Sequence, residues 1–365
     1  MLIGIDASRA AIPKRTGTEA YAYHLIQHLL PLAQERGHTV RLYFNHPPAD
    51  NLFEDYPNVA YHIIPFPRFW THFRLGLELF SRPPDLFFTP AHVIPYTWRG
   101  RAMATIHDLG YEFFPEAHTP KQVRHLRWGT QHNAKRSQKI LADSEATKRD
   151  LVDLYRIQAS KIDVVYPGID PEFILEANAA QKLKREKPYY LFLSTIQPRK
   201  NVARIIQAFA QIAERVSHDL ILAGQIGWRA SQTQQALDSL TPAVREQIEL
   251  VGFVPDEEKA GLIKGASAFI YPSLYEGFGF PLLEANACGV PVIAANTSSL
   301  AELTSTGGAY RVDPENTDAL AQAMVEILEN NGLRTTLIAA GYKNIERFSW
   351  QQTAEKVLNL MEACL

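Results

Sequence analysis

Several things are scarce or missing in this chain. Only two cysteines, Cys288 and Cys364, occur in 365 residues. They make neither a disulfide framework nor a metal-ligand spacing, which suits a reducing compartment. No run of about 18 apolar residues occurs, so no transmembrane helix is expected. The opening Met1-Leu2-Ile3-Gly4-Ile5-Asp6 lacks the basic start and apolar core of a signal peptide and reads as a first strand. A cytoplasmic protein is therefore expected, with peripheral contact at the inner face of a membrane left open. The formal net charge is −2, so no global attraction to nucleic acid is implied. Neither half carries Gly-x-Gly-x-x-Gly after its first strand, which excludes a two-domain dinucleotide-dependent dehydrogenase. Low-complexity tracts and short-period repeats are absent.

What is there is an ordinary globular composition, 46% apolar and 21% charged, at a length that favours two domains. Charge is uneven: 23 Lys and Arg face 19 Asp and Glu up to Arg185, leaving 14 against 20 beyond it. A basic front half suits an anionic acceptor or membrane surface. Short apolar runs alternate with helical patterns from end to end, the mark of α/β layers with parallel sheets. Strands are expected at Leu2–Asp6, Thr39–Phe44, Val59–Ile64, Leu86–Thr89, Ala102–Ile106, Lys139–Ala142 and Lys161–Val165. A second series runs through Tyr189–Leu193, Asp219–Ala223, Ile248–Val251, Ala268–Tyr271, Pro291–Ala294 and Gly308–Val312. Leading helices fit Glu19–Arg36 and Lys121–Ser137, and the tail Thr335–Leu365 reads as helical. A break at Pro167-Gly168-Ile169-Asp170-Pro171 precedes a polar, Ala-rich stretch. The domains expected are 1–174, a linker at 175–187, 188–345, and a final helix at 346–365.

The most informative stretch is Ser273-Leu274-Tyr275-Glu276-Gly277-Phe278-Gly279-Phe280-Pro281-Leu282-Leu283-Glu284-Ala285. It joins a strand to a helix through a glycine-rich turn. Glycine lets a ligand approach the backbone, and a helix start offers N–H groups and a positive dipole end to a phosphate. Glu276 on the loop and Glu284 one turn into the helix can accept hydrogen bonds from hydroxyls on either side of a bound diphosphate. Two glutamates at this spacing occur by chance in many proteins; the surrounding Pro-Ser-Leu-Tyr-Glu-Gly-Phe-Gly-Phe-Pro and Ala-Cys-Gly-Val-Pro-Val-Ile-Ala make the pattern specific. This segment resembles the donor-site signature of the retaining glycosyltransferases of family 4, and the resemblance covers nearly the whole chain.

That resemblance implies an α/β protein of two Rossmann-like domains facing across a cleft, the B-type glycosyltransferase fold, with the last helix crossing back to the first domain. The motifs are expected to converge on the carboxyl ends of the strands. Arg199-Lys200, after a strand and before a helix, resembles the family's pair that neutralises the leaving diphosphate; an isolated Arg-Lys pair would more often be an exposed turn. Relatives often carry a further arginine just after the strand, where this chain has Ser194-Thr195. His107, in Thr105-Ile106-His107-Asp108-Leu109-Gly110, resembles the histidine that binds donor-sugar hydroxyls; a lone histidine is more often structural, and Asp108 can serve merely to orient the loop. Gly17, in Arg15-Thr16-Gly17-Thr18-Glu19, permits close approach at a helix start, although relatives usually have two glycines and Thr18 can simply cap the helix. Arg9 on the same loop is an acceptor-contact candidate. Gly252-Phe253 lies where relatives hold the base, and Gly277, Phe278, Gly279 and Phe280 would cradle the nucleotide.

The expected activity is transfer of a hexose, mannose slightly favoured as GDP-mannose, from a nucleoside-diphosphate sugar to a glycan or lipid-linked acceptor. No cofactor is expected, and no metal, because no Asp-x-Asp motif lies near the donor signature. The alternatives are a sugar-nucleotide epimerase on the same fold, a phosphorylase, for which no pyridoxal-phosphate lysine context is found, and a non-catalytic sugar-binding module. Joint retention of His107, Arg199, Lys200, Glu276 and Glu284 argues against the last. Pro67-Arg68-Phe69-Trp70-Thr71-His72-Phe73-Arg74, and Arg124, Arg127, Lys135 and Arg136 further on, fit an interfacial helix. The commoner arrangement, preferred here, keeps the aromatics in the core and the charges in water.

Overall fold

The computed structural model describes residues 1–13, 15, 17–66, 68–227 and 231–365. Thr16 and Pro67, which belong to two of the motifs above, lie outside the described residues. Among the described residues two parallel sheets organise the chain. The first comprises β1 (Leu2–Asp6), β2 (Thr39–Phe44), β3 (Val59–Ile63), β4 (Leu86–Thr89), β5 (Arg101–Ile106), β6 (Lys139–Ala142) and β7 (Ile162–Val164), in the order β3-β2-β1-β4-β5-β6-β7. The second comprises β8 (Tyr189–Leu193), β9 (Asp219–Ala223), β10 (Ile248–Gly252), β11 (Ala268–Tyr271), β12 (Val292–Ala295) and β13 (Tyr310–Val312), in the order β10-β9-β8-β11-β12-β13. The central strands are covered on both faces, which is why they read as near-continuous apolar runs: every residue of β4, β8, β11 and β12 is buried. Both orders reverse direction between the first and fourth strands of their series, the feature that opens a ligand crevice at the carboxyl ends.

The chain forms two compact units. Unit 1 is Met1–Leu109, Lys121–Gly168 and Phe348–Leu365; unit 2 is Gly110–Pro120 and Ile169–Arg347. These boundaries correct the expected ones. Gly110–Pro120 belongs with the later unit, where the Phe113 ring stacks on Tyr275 at 4.7 Å. The stretch read as a linker begins inside a helix, Pro171–Ala179, capped by the Asp170 side chain on Glu172 N–H. It is tied into unit 2 where Lys264 Nζ donates to Ala177 O at 2.8 Å and Leu183 N–H to Gly261 O at 3.1 Å.

The tail comprises two helices, Asn331–Ile345 and Trp350–Glu362. The break falls where the chain changes units. Arg347 donates to Thr306 and Asn344 in unit 2, while the next residue, Phe348, packs edge-on against Tyr166 in unit 1. The Trp350–Glu362 helix then covers the helix Gly17–Glu35. Trp350 stacks on His24 at 5.4 Å, and Glu362 accepts from Arg36 at 3.0 Å and lies 2.7 Å from His38 Nε2. Thr18 is inside the Gly17–Glu35 helix, so it does not cap it.

Candidate functional site

In unit 2 the loops after β8 and β11 diverge from the strand-order reversal, and each delivers part of one cluster. The loop after β8 turns through a short 3-10 helix, Pro198–Lys200, and reverses at Asn201 in a left-handed conformation, φ 64°. Asn201 is held there by donating to Pro272 O at 3.0 Å and Pro314 O at 2.7 Å. Leu274 N–H donates to Arg199 O at 2.8 Å, joining the two loops. The result brings three of the expected residues together. Glu276 accepts from Arg199 Nη1 at 2.8 Å and from Lys200 Nζ at 2.6 Å, one cation on each oxygen. Lys200 also donates to Tyr271 Oη at 2.7 Å, and Glu276 N–H to Ser298 Oγ at 3.1 Å.

Both Lys200 and Glu276 are buried. Burial alone would raise the Glu276 carboxyl, but the Lys200 ammonium and the Arg199 guanidinium outweigh it and hold the pKa at about 2. Glu276 is thus an ionised acceptor whose oxygens keep further lone pairs, as hydroxyl recognition requires. Because its folded pKa lies below the ordinary value, the stability it contributes is complete above about pH 4.5 and is lost as pH falls toward 2. The shift corresponds to about 3 kcal/mol. Acid titration of the melting temperature is expected to show this loss, and Glu276→Gln to flatten the slope across that interval.

Next along the chain, Gly279 sits at φ 132°, and an added Cβ would lie 2.7 Å from Leu300 Cδ2. Only glycine fits there, and the helix Phe280–Ala287 starts at the following residue with Pro281 in its first turn. Gly277, Phe278 and Gly279 are buried, with Phe278 edge-on to Phe280 at 5.1 Å. Glu284 pairs with Lys259 Nζ at 2.5 Å through Oε1, while its Oε2 is buried with no hydrogen-bond partner among the described residues. Gly252, the last residue of β10, takes φ 78°, and Phe253 is exposed.

In unit 1, His107 follows β5. Its Nε2 lies 2.9 Å from Pro90 O, which can only accept, and its Nδ1 lies 2.7 Å from Asp143 Oδ2. Burial would lower the His107 pKa, but the charge and hydrogen bond of Asp143 raise it above the ordinary value. Both ring nitrogens are therefore engaged, and Nε2 can reach a sugar hydroxyl only in exchange for Pro90 O. Gly17 is exposed, with open space around it. Arg9 pairs with Glu19 Oε1 at 3.0 Å and donates to His92 Nε2 at 2.9 Å. This places a polar cluster where the loops after β1 and β4 part.

The sequence reading missed Asn201, Tyr271, Asp143, His92 and Lys259. Asn201, directly after Arg199-Lys200 and before a helix, carried a usable turn signal; Lys259, on a distant helix, carried none.

The family profile described as Glycosyltransferase Family 4 matches residues 15–173, and that described as Glycosyl transferases group 1 matches 174–344. O-antigen chain mannosyltransferase B of Escherichia coli is 30% identical over 283 residues, covering 75% of this chain and 73% of that protein. The chain is a glycosyltransferase of this family. The D-inositol 3-phosphate glycosyltransferase of Kribbella flavida is 29% identical to it over 243 residues, 63% of this chain and 57% of that one. Among solved structures the glycosyltransferase superposes on sucrose-phosphate synthase from Thermosynechococcus elongatus with TM-score 0.74 at 18% identity, covering 99% and 98% of the two chains. HepE from Anabaena in complex with UDP-glucose gives 0.71 at 17%, covering 99% of each. The fold they share with this glycosyltransferase is the B-type fold of two Rossmann-like domains.

Proposed function

We propose that this glycosyltransferase moves a hexose from a nucleoside-diphosphate sugar to a hydroxyl of a glycan or lipid-linked acceptor, with retention at the anomeric carbon and without a metal. The observation that carries the reading is the Arg199–Glu276–Lys200 cluster at the strand-order reversal of unit 2, beside the start of the helix Phe280–Ala287. Two cations against one carboxylate leave net positive charge where a diphosphate would leave. Preorganised charge of this kind stabilises developing negative charge by several kcal/mol. Both oxygens of Glu276 are engaged by Arg199 and Lys200, which favours a same-face displacement over a covalent glycosyl-enzyme. In that step the bond from the anomeric carbon to the phosphate oxygen breaks as the acceptor oxygen bonds on the same face. The acceptor proton passes to the departing phosphate.

Mannose is favoured because the relative at 30% identity is by name a mannosyltransferase of O-antigen chains, and GDP-mannose is the donor proposed. That relative also supports a place in polysaccharide synthesis. The test is incubation with GDP-mannose and UDP-glucose in turn, with and without EDTA, reading the anomeric configuration of product by NMR. Transfer is expected to survive the chelator, since Arg199 and Lys200 supply the positive charge a metal would bring. Loss in EDTA that Mg²⁺ or Mn²⁺ restores would overturn metal independence, and an inverted product would overturn retention.

Glu284 is assigned to the ribose hydroxyls, for which its unpartnered Oε2 is suited. Glu284→Ala is expected to weaken nucleoside-diphosphate binding by about 1.5–3 kcal/mol. Calorimetry on the folded variant measures this, and unchanged affinity would remove the assignment.

A further inference from the structure

Residues 68–82 of unit 1 present an apolar face that the core does not use. The helical turns Thr71–Leu75 and Gly76–Ser81 bury Trp70, Leu75 and Leu79 against Tyr43, Phe87 and Trp98. The opposite face carries Phe69, Phe73, Leu77 and Phe80, exposed by 72, 66, 61 and 79%. The aromatics of this stretch are therefore split, and the reading that places them in the core holds only for Trp70. Residues 73, 77 and 80 follow helical spacing, so they share one side. Phe69 has φ 56°, a left-handed conformation unfavourable for a bulky residue, and its ring meets Phe73 edge-on at 6.3 Å. Backbone strain that holds a phenyl ring in water gains nothing for the monomer. Contiguous exposed apolar surface of this kind marks an interaction site.

Positive charges flank this face. Arg68 beside Phe69 is exposed. Glu78, the only carboxylate of the two turns, is buried and lies within ion-pair distance of both Arg74 and Arg82. The helix Pro120–Arg136 neighbours these turns through Trp128, whose partly exposed ring meets His72 edge-on at 5.5 Å. That helix carries Lys121, Arg124, Arg127, Lys135 and Arg136 and no Asp or Glu. Arg124, one turn before Trp128, is exposed.

We propose that this face docks unit 1 onto an anionic lipid bilayer, the phenyl rings entering the headgroup boundary and the arginines meeting lipid phosphates. A second copy of the chain fits the face less well, because a two-fold pairing would set Arg68 and Arg124 against like charges. Apolar area plus attraction to anionic lipid is what holds an interfacial helix. The inference does not depend on the donor sugar or on the retaining step.

The test is co-sedimentation of the full chain with phosphatidylcholine vesicles, with and without phosphatidylglycerol. Binding is expected to be at least about tenfold tighter with the anionic lipid and to weaken in salt. Phe69→Ser/Phe73→Ser/Phe80→Ser is expected to lose binding by about tenfold or more, with an unchanged melting temperature because those rings are exposed. Arg68→Glu/Arg124→Glu is expected to lose the preference for anionic lipid. In a Phe73→Trp variant, brominated lipid is expected to quench the new fluorescence. Equal weak binding to both vesicles, or a triple-serine variant that binds as the parent does, overturns the proposal. So does a dimer in sedimentation that the triple-serine variant dissolves, since the face is then covered by a second copy.

Discussion

Lys200→Met is expected to lower turnover at saturating donor by about 10²–10³, the usual loss when one preorganised group facing developing charge is removed. Charge on the diphosphate grows as the glycosidic bond breaks, so turnover should fall more than donor affinity does. The same substitution has a structural cost. Lys200 and Glu276 are both buried and 2.6 Å apart, and deleting one partner strands the other. Breaking a buried pair costs about 3–5 kcal/mol, so the melting temperature should also fall. The double variant Lys200→Met/Glu276→Gln separates the two effects. Without a stranded carboxylate it should recover much of the lost stability and none of the turnover. Wild-type turnover in a folded Lys200→Met preparation would reduce Arg199-Lys200 to a structural turn and displace the proposed donor site.

His107→Ala is expected to lower turnover by about 10²-fold while leaving nucleoside-diphosphate affinity nearly intact. The groups assigned to the nucleotide, Arg199, Lys200 and Glu284, all belong to unit 2, whereas His107 and its partners Pro90 and Asp143 belong to unit 1. A pH titration adds a reading that a loss of activity cannot give. The folded pKa of His107 is raised, so the stability it contributes is complete below about pH 6.5 and is lost as pH rises through the folded value. The parent should lose that increment on the alkaline side, and His107→Ala should lack the slope. Normal turnover with the slope removed would make His107 a purely structural residue. Loss of nucleotide binding would contradict the division of roles between the units.

The sheets were legible because strands buried on both faces must be apolar throughout. Tyr189–Leu193 and Ala268–Tyr271 could hardly be anything else, and their bounds agree with the sequence reading. The Arg199–Glu276–Lys200 cluster was legible because its parts lie on loops that follow recognisable strands. Contacts between elements far apart in sequence left no such trace. Nothing in the pattern around Lys259 announces that its ammonium reaches Glu284, and nothing near His92 announces Arg9. The expected linker failed for a similar reason. Its polar, Ala-rich composition suits an exposed helix as well as a tether, and only packing against Gly261 and Lys264 decides. The stretch around Phe69 and Phe73 misled because an aromatic beside an arginine reads as half-buried in either direction. Which ring turns inward depends on the turn itself.

The return of residues 348–365 to unit 1 bears on how the protein is made. The face of the Gly17–Glu35 helix that meets Trp350 and Glu362 stays uncovered on the ribosome until those residues emerge. At about 5–20 residues per second, synthesis of residues 169–362 takes on the order of ten to forty seconds. Throughout that interval Tyr21 and His24 of the nascent first unit lack the Trp350 ring that later packs on them. The second unit can close on residues already made, because everything assigned to it precedes Phe348. Maturation therefore runs against the order of synthesis, with the amino-terminal unit completed last.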